Sequence, residues 1–281
     1  GGVNFIAVCL DHQLRPESSS EVEFVRDICQ LHGIPYQTAS LDVPIFAEDQ
    51  QLGLEEAARM MRYRKLFEIA EIQYASAVVT AHHADDQVET VLMHFLRGTG
   101  RPGLSGMKAI EYNHPWASKL PLLRPLLGVR KEEIIRFNQA EGISWLEDSS
   151  NSDPTFFRNK LRNEVIPYLE ELNPNFGERL LNTSLIIGEE DQYLDEQVER
   201  LMGSVVQGSG EGFVEIDPRE FKKAPLTIQR RFVLKIVNQL RPQSRDFDFL
   251  AVKNCCAFLS NPKAGAQLEL PDRILGLAEY E

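Results

Sequence analysis

Across its first half the chain alternates strand-like apolar runs with amphipathic helical periods, and that alternation admits few folds. Residues 3–10 read as a buried strand, followed by a helix over 18–32 with a Ser18-x-x-Glu21 capping box and Gly33 at its stop. Residues 34–43 are extended again. A second helix, 54–74, is built on Ala57, Ala58, Met61, Leu66, Ile69 and Ala70, and 76–81 make a third strand. Strands separated by helices in this order imply parallel pairing through right-handed crossovers. The expected class is α/β, a parallel sheet with helices on both faces.

The third strand feeds directly into His82-His83-Ala84-Asp85-Asp86-Gln87-Val88-Glu89-Thr90. Val88, Val91, Leu92, Phe95 and Leu96 recur at helical spacing and predict one buried stripe, which puts Asp86 and Glu89 on the opposite, polar face. Acidic residues in a first turn also suit the positive end of the helix dipole, so Asp85 and Asp86 have a plain structural explanation. That explanation leaves out the two histidines, which crowd the strand end where open parallel sheets present their ligand crevice. Asp11 and His12 end the first strand in the same way, although such residues are also ordinary turn formers. Arg59, Arg62 and Arg64 on the second helix suit phosphate or carboxylate, with surface pairing to Glu55 or Glu56 as the plainer alternative. A metal site in the His82–Asp86 run is the second reading, because adjacent residues seldom all point at one ion.

Composition sets the outer limits. The 281 residues are 43% hydrophobic, enough to fill a sizeable core, and no apolar run approaches the ~20 residues of a membrane span. A soluble cytoplasmic protein with no membrane partner is expected. Cys9, Cys29, Cys255 and Cys256 form no CxxC pair, and plain thiols are the simplest reading. The net charge of −12 hides segregation: residues 97–131 carry +6 and 219–245 carry +7, while thirteen carboxylates between Glu164 and Asp217 meet only Arg179 and Arg200. Two basic patches suggest a nucleic-acid partner, against the usual explanation of a solvated face.

Beyond the His82 segment come a Gly/Pro-rich loop, an apolar stretch at 120–127 broken by Pro121 and Pro125, and a helix over 130–140 stopped by Gly142. The domain reading is 1–177 for a catalytic domain, 178–203 for a long acidic connecting helix, and 204–281 for a small, mainly helical domain. The last begins in a Gly/Ser-rich loop at 203–212, followed by a strand at 213–216, helices at 227–240 and 247–259, and a short final strand. Gly98-Thr99-Gly100-Arg101-Pro102-Gly103 spells GxGxxG, yet it follows a helix where a dinucleotide site requires a strand, and no GxxxxGK[ST] loop exists. Trp145-Leu146-Glu147-Asp148-Ser149-Ser150-Asn151, with Phe156-Phe157-Arg158-Asn159-Lys160-Leu161-Arg162 after it, places aromatics beside bases, a combination suited to RNA.

Taken together, Asp11-His12-Gln13-Leu14-Arg15-Pro16-Glu17-Ser18, Glu55-Glu56-Ala57-Ala58-Arg59-Met60-Met61-Arg62-Tyr63, the block from Ala81 to Gly100, Arg124-Pro125-Leu126-Leu127 and the block from Trp145 to Arg162 resemble the tRNA(Ile)-lysidine synthetases. That family belongs to the PP-loop ATP pyrophosphatases, and the resemblance covers about the first 170 residues, with the remainder similar only in layout. It implies an enzyme that adenylates the wobble cytidine of an isoleucine tRNA with ATP and magnesium, after which the amine of free L-lysine displaces AMP. The family's SGGxDS loop has no counterpart here, since Gly1-Gly2 is not that motif. The chain is therefore expected to be N-terminally incomplete and, taken alone, inactive. A homodimer is compatible with the sequence and not required by it.

By resemblance, Asp86 and Glu89 are the catalytic pair that holds the lysine amine. Carboxylates suit that task, because an ammonium needs counter-charge and an attacking amine must lose a proton. Asp11, His12, Arg59, Arg62, Thr80 and His82 are expected around ATP, and Arg97, Arg124, Arg158 and Arg162 on the tRNA. The competing functions are a tRNA-thiolating PP-loop enzyme and a non-catalytic tRNA-binding fragment.

Overall fold

The computed structural model describes residues 3–12, 18–112, 114, 116, 119–146, 157–242 and 247–279, without the side chains of 18, 19, 101 and 102. The chain divides into two compact units. One comprises Gly1–Thr99 with Gly106–Asn182, the other Gly100–Ser105 with Thr183–Glu281. Residues 13–17, the Ser18 side chain of the expected capping box, the Arg101 side chain, residues 147–156 and Arg245 lie outside the described residues.

In the first unit β1 (Ala7–Asp11) and β2 (Tyr36–Ser40) pair in parallel, from Ala7 opposite Tyr36 to Asp11 opposite Ser40, joined by α1 (Ser18–Leu31). β3 (Val78–Val79) pairs in parallel with β5 (Leu122–Leu123), which pairs antiparallel with β4 (Ile110–Glu111) on its other side. The α/β class expected from the alternation is the class the chain adopts. Two differences stand out. β1 is half-buried rather than buried, and β3 is much shorter than the six residues read as a strand.

Residues 34–43 do not stay extended to their end. α2 (Val43–Gln50) begins there because Asp42 caps it, its carboxylate accepting from the Ile45 amide at 3.3 Å, and Pro44 fits a first helical turn. α2 packs on α3 (Leu54–Ile72) through Leu41, Val43, Ala47 and Ala57. Farther along α3, Tyr63, Phe67 and Ala70 meet Val78 and Leu122 in a second core that ties the helix to the β3–β5 ladder. Each fully buried large side chain there stabilises by roughly 1.5–3 kcal/mol.

α4 (Ala84–Leu96) follows β3. Val88, Val91 and Leu92 are buried as the spacing predicts, but Phe95 is 64% exposed and Leu96 56%, so the stripe fades in the last turn. The first unit continues with α6 (Lys131–Ala140), α7 (Phe157–Lys160), a π-helical turn (Leu161–Val165), α8 (Ile166–Leu172) and the start of α9 (Phe176–Val205).

The second unit contains α5 (Arg101–Leu104) and the greater part of α9. β6 (Val206–Gly210) forms a hairpin with β7 (Phe213–Ile216), so the Gly/Ser-rich loop is mostly strand: pairing satisfies a backbone that its composition marks as flexible. α10 (Pro218–Lys223), α11 (Leu226–Leu240) and α12 (Phe249–Ser260) come next, and the expected final strand is a hairpin of β8 (Gln267–Leu270) and β9 (Ile274–Leu277). Its single core gathers Val198, Val205, Phe221, Phe232, Val233, Val237, Val252 and Cys256. Arg231 pairs with the buried Asp191 and with the exposed Asp195, and on the surface Lys235 pairs with Glu199. Part of the basic run 219–245 is thereby neutralised within the unit, which weakens its reading as a free patch. Among the described residues no helix is long and apolar enough to cross a membrane.

Candidate functional site

The start of α4 is fixed by reciprocal capping. The His83 amide donates to Asp86 Oδ2 at 3.0 Å, while His83 Nδ1 accepts from the Asp86 amide at 3.4 Å. Asp85 fastens the same turn to α6, accepting from the Lys131 amide at 2.7 Å and pairing with Arg130 at 2.9 Å. Deeper in the helix, the Gln87 amide bonds both ways to the Met107 backbone, at 2.8 and 3.1 Å. Gly106, just before it, has φ +68°, and a Cβ there would lie 2.6 Å from the Gln87 amide nitrogen. The first turn is thus a cap and a site at once, since Asp86 Oδ2 serves the cap and Oδ1 is free for other partners.

Those partners are arginines. Arg158 donates to Asp86 Oδ1 at 2.9 Å and to Glu89 Oε2 at 2.6 Å; Arg162 donates to Glu89 Oε1 at 2.5 Å and Oε2 at 3.0 Å, and to Asp86 Oδ1 at 3.3 Å. α7 and the π turn supply both guanidiniums, so they cover the face of α4 that the spacing assigns to solvent. Glu89 is consequently only 1% exposed, and the expected polar face is an interior one. Burial works against the charge on Arg162, but hydrogen bonds and charge from Glu89 and Asp86 outweigh it and raise the Arg162 pKa.

Beside this cluster lies a cavity of about 380 Å³, lined by Arg62, Thr80, Ala81, His82, Asp86, Arg158, Asn159 and Arg162. It opens where β3 ends and α4 begins, the crevice position expected of a parallel sheet. Thr80 Oγ1 and His82 Nδ1 are 2.9 Å apart. Burial, opposed by Asp86 and reinforced by Arg124, Arg62 and Arg158, pulls the His82 pKa down to about 4, so the imidazole is neutral at pH 7. His12, just past β1, is likewise lowered by burial and by Arg62. Arg62 Nε is buried with no hydrogen-bond partner, an orphaned donor that suits a phosphate oxygen.

Arg62, Thr80, His82, Asp86, Arg158 and Arg162 therefore meet in one place, with Glu89 anchoring them from beneath. Asp11, His12, Arg59 and Arg97 do not line the cavity. Arg59 is exposed and sits over the Tyr63 ring, and Arg97 is an exposed C-cap of α4. Arg124 corrects the sequence reading. It is 3% exposed and donates to the Lys108 carbonyl and to Glu111, both at 2.7 Å, so it ties the end of β5 to β4 and the segment leading into it instead of reaching a polyanion. Arg158 and Arg162, expected on tRNA, are engaged by Asp86 and Glu89. Asn159 lines the cavity although nothing in the sequence marks it beyond its place next to Arg158. Among the described residues no group of three or more His, Cys, Asp or Glu could hold a metal, so these side chains do not fit a protein-built magnesium cage.

The description of a PP-loop domain matches residues 1–169. Over 279 residues the chain is 30% identical to the tRNA(Ile)-lysidine synthase of Geobacter sulfurreducens, covering 99% of this chain and 58% of that protein. The enzymes of the same name from Bacillus subtilis and Geobacillus kaustophilus are 33% and 35% identical, each covering 84% of this chain and 50% of theirs. The chain thus spans about half the length of the curated relatives it matches. Among solved structures, the U34-tRNA thiolase NcsA of Methanococcus maripaludis superposes with a TM-score of 0.51 at 14% identity, covering 64% of this chain and 60% of that one, a likeness of fold alone. Parallel ladders, a crevice at the end of β3 and a family description that spans well over half the residues agree: the chain belongs to the PP-loop domain family.

Proposed function

We propose that this chain is part of an ATP-dependent ligase that attaches lysine to the wobble cytidine of an isoleucine tRNA. One observation carries the reading: three guanidiniums, a neutral histidine and a carboxylate converge on one crevice, in a chain whose relatives bear the name tRNA(Ile)-lysidine synthase. The cytidine carbonyl oxygen attacks the α-phosphorus of ATP and releases pyrophosphate, and the lysine amine then bonds to the activated carbon, expelling AMP and losing a proton.

The residues divide the work. Arg62, with its orphaned Nε, faces phosphate oxygens, and Thr80 with neutral His82 offers hydrogen bonds beside it without adding charge. Asp86 is the carboxylate that lines the cavity, so it is the one to meet the lysine ammonium. Glu89, buried beneath, keeps Arg158 and Arg162 in place. An entering ammonium then competes with Arg158 and Arg162 for Asp86 Oδ1, and such an exchange trades one cation for another without leaving the carboxylate bare. Magnesium, in this reading, belongs with the nucleotide, and a cytoplasmic setting follows from the substrates.

The test is a reaction of unmodified isoleucine tRNA, ATP and lysine with the protein that carries this chain, followed by nucleoside mass spectrometry. The expected product is a cytidine carrying a lysine, formed with AMP release and lost in Asp86→Asn. Replacement of oxygen by sulfur, or tRNA binding without AMP release, would sink the reading.

A further inference from the structure

Behind the cavity wall stands a second layer of side chains that the proposed reaction does not use. Arg62 precedes Tyr63 on α3, and its guanidinium carbon lies 5.4 Å from the Tyr63 ring centroid. Tyr63 is fully buried, and Trp116, in the connection between β4 and β5, stacks on it at 4.4 Å and 18°. One turn along α3, Phe67 grips the same connection through His114, the two rings 4.1 Å apart. His114 Nε2 lies 2.8 Å from the Leu120 carbonyl oxygen, which fixes that ring in turn. The connection is riveted to α3 immediately behind the cavity.

Arg62 differs from the other two cavity arginines in what surrounds it. Arg158 and Arg162 are held by carboxylates, whereas Arg62 has no carboxylate pair among the described residues and its Nε is buried without a partner. Burial lowers the Arg62 pKa, Tyr63 opposes that shift, and Arg59 and Arg158 push it down further. A cation in that setting keeps its place through its neighbours' shape and through the face of an aromatic ring. Pairing with a carboxylate would cancel the charge that the cavity offers, and a free side chain would have to be ordered each time a ligand binds. An aromatic shelf does neither.

We propose that the Tyr63–Trp116 stack is a positioning element that holds the Arg62 guanidinium, which pairs with no carboxylate among the described residues, at the cavity wall and so prepares the cavity for an anion. The inference rests on the reading of the cavity as a phosphate site. Arg62 supplies the charge, and Tyr63 and Trp116 act only through it.

The protein that carries this chain is suited to the test, with Arg62 Nε–H order followed by heteronuclear NOE and anion binding by titration with inorganic pyrophosphate. Trp116→Leu, which keeps bulk without a flat ring, is expected to turn the Arg62 signal from ordered to mobile and leave Arg158 unchanged. It should also weaken pyrophosphate binding about tenfold, with Trp116→Phe restoring both to within about threefold. Equal Arg62 order and equal pyrophosphate affinity in Trp116→Leu and the parent overturn the proposal. If the parent takes up no pyrophosphate while Arg62 order still depends on Trp116, the phosphate reading falls and the positioning element stands.

Discussion

A buried ion-pair cluster in the first unit and an exposed ion pair in the second use the same chemistry to different ends. In the first unit Glu89, with its side chain 2% exposed, is shared by Arg158 and Arg162 at a cavity wall. In the second, Glu199, 64% exposed, meets Lys235 on a helix surface. Water competes freely for the second pair and barely for the first. Desolvation makes a buried carboxylate depend on its cations, so that removing one member exposes the cost of the others. The exposed Lys235–Glu199 pair costs little to form and contributes little. Arrangement of charge in space, and not its count along the chain, separates a site from a decorated surface.

The same substitution in both places is the sharpest way to break that contrast. Glu89→Gln should cost about 3 kcal/mol in urea unfolding, because two partly buried guanidiniums lose their counter-charge. Glu199→Gln should cost less than about 1 kcal/mol and vanish in high salt. Equal losses would mean that burial does not govern the difference. Next in size, Gly106→Ala should destabilise by about 2 kcal/mol, since it forces a side chain into a left-handed backbone and against the Gln87 amide that fixes α4. A thermal midpoint unchanged from the parent would show the loop gives way.

A smaller effect concerns protons. His82 has a folded pKa of about 4, below its usual 6.5, so the unfolded chain binds the proton that the folded chain refuses. Its contribution to stability is whole above pH 6.5 and declines as the pH falls toward 4. Imidazole carbon shifts should show His82 still neutral at pH 5.5, and His82→Gln should flatten the acid limb of stability. A midpoint near 6.5 would place the ring in water and detach it from the buried cluster.

How far the sequence discloses this molecule depends on the range of the forces involved. Periodicity finds α1, α3, α4, α6, α9, α11 and α12, because each is set by its own residues. α2 escapes it, although Asp42 and Pro44 are legible start signals, since the helix has little apolar pattern of its own. β6 escapes because glycines read as a loop until a partner strand closes on them. At the site, the carboxylates and His82 are visible as a cluster, but their arginine partners stand 69 to 76 residues away. No local pattern reveals that Arg158 and Arg162 fold over Glu89, nor that Arg124 turns inward to Glu111. The tertiary fold decides which basic residues are spent inside.

The π turn at Leu161–Val165 carries a consequence for how such a site can change over generations. Arg158 lies just before it and Arg162 within it, and a π turn holds more residues than an α turn of the same advance. Losing one residue between Arg158 and Arg162 would restore regular winding and shorten their spacing, so the two guanidiniums would no longer reach the carboxylates as they do. Point changes in this segment trim side chains, whereas a single-codon deletion would shift Arg162 relative to Arg158. Spacing matters here as much as chemistry, and a relative with a gap in this stretch is expected to hold its carboxylates by other groups.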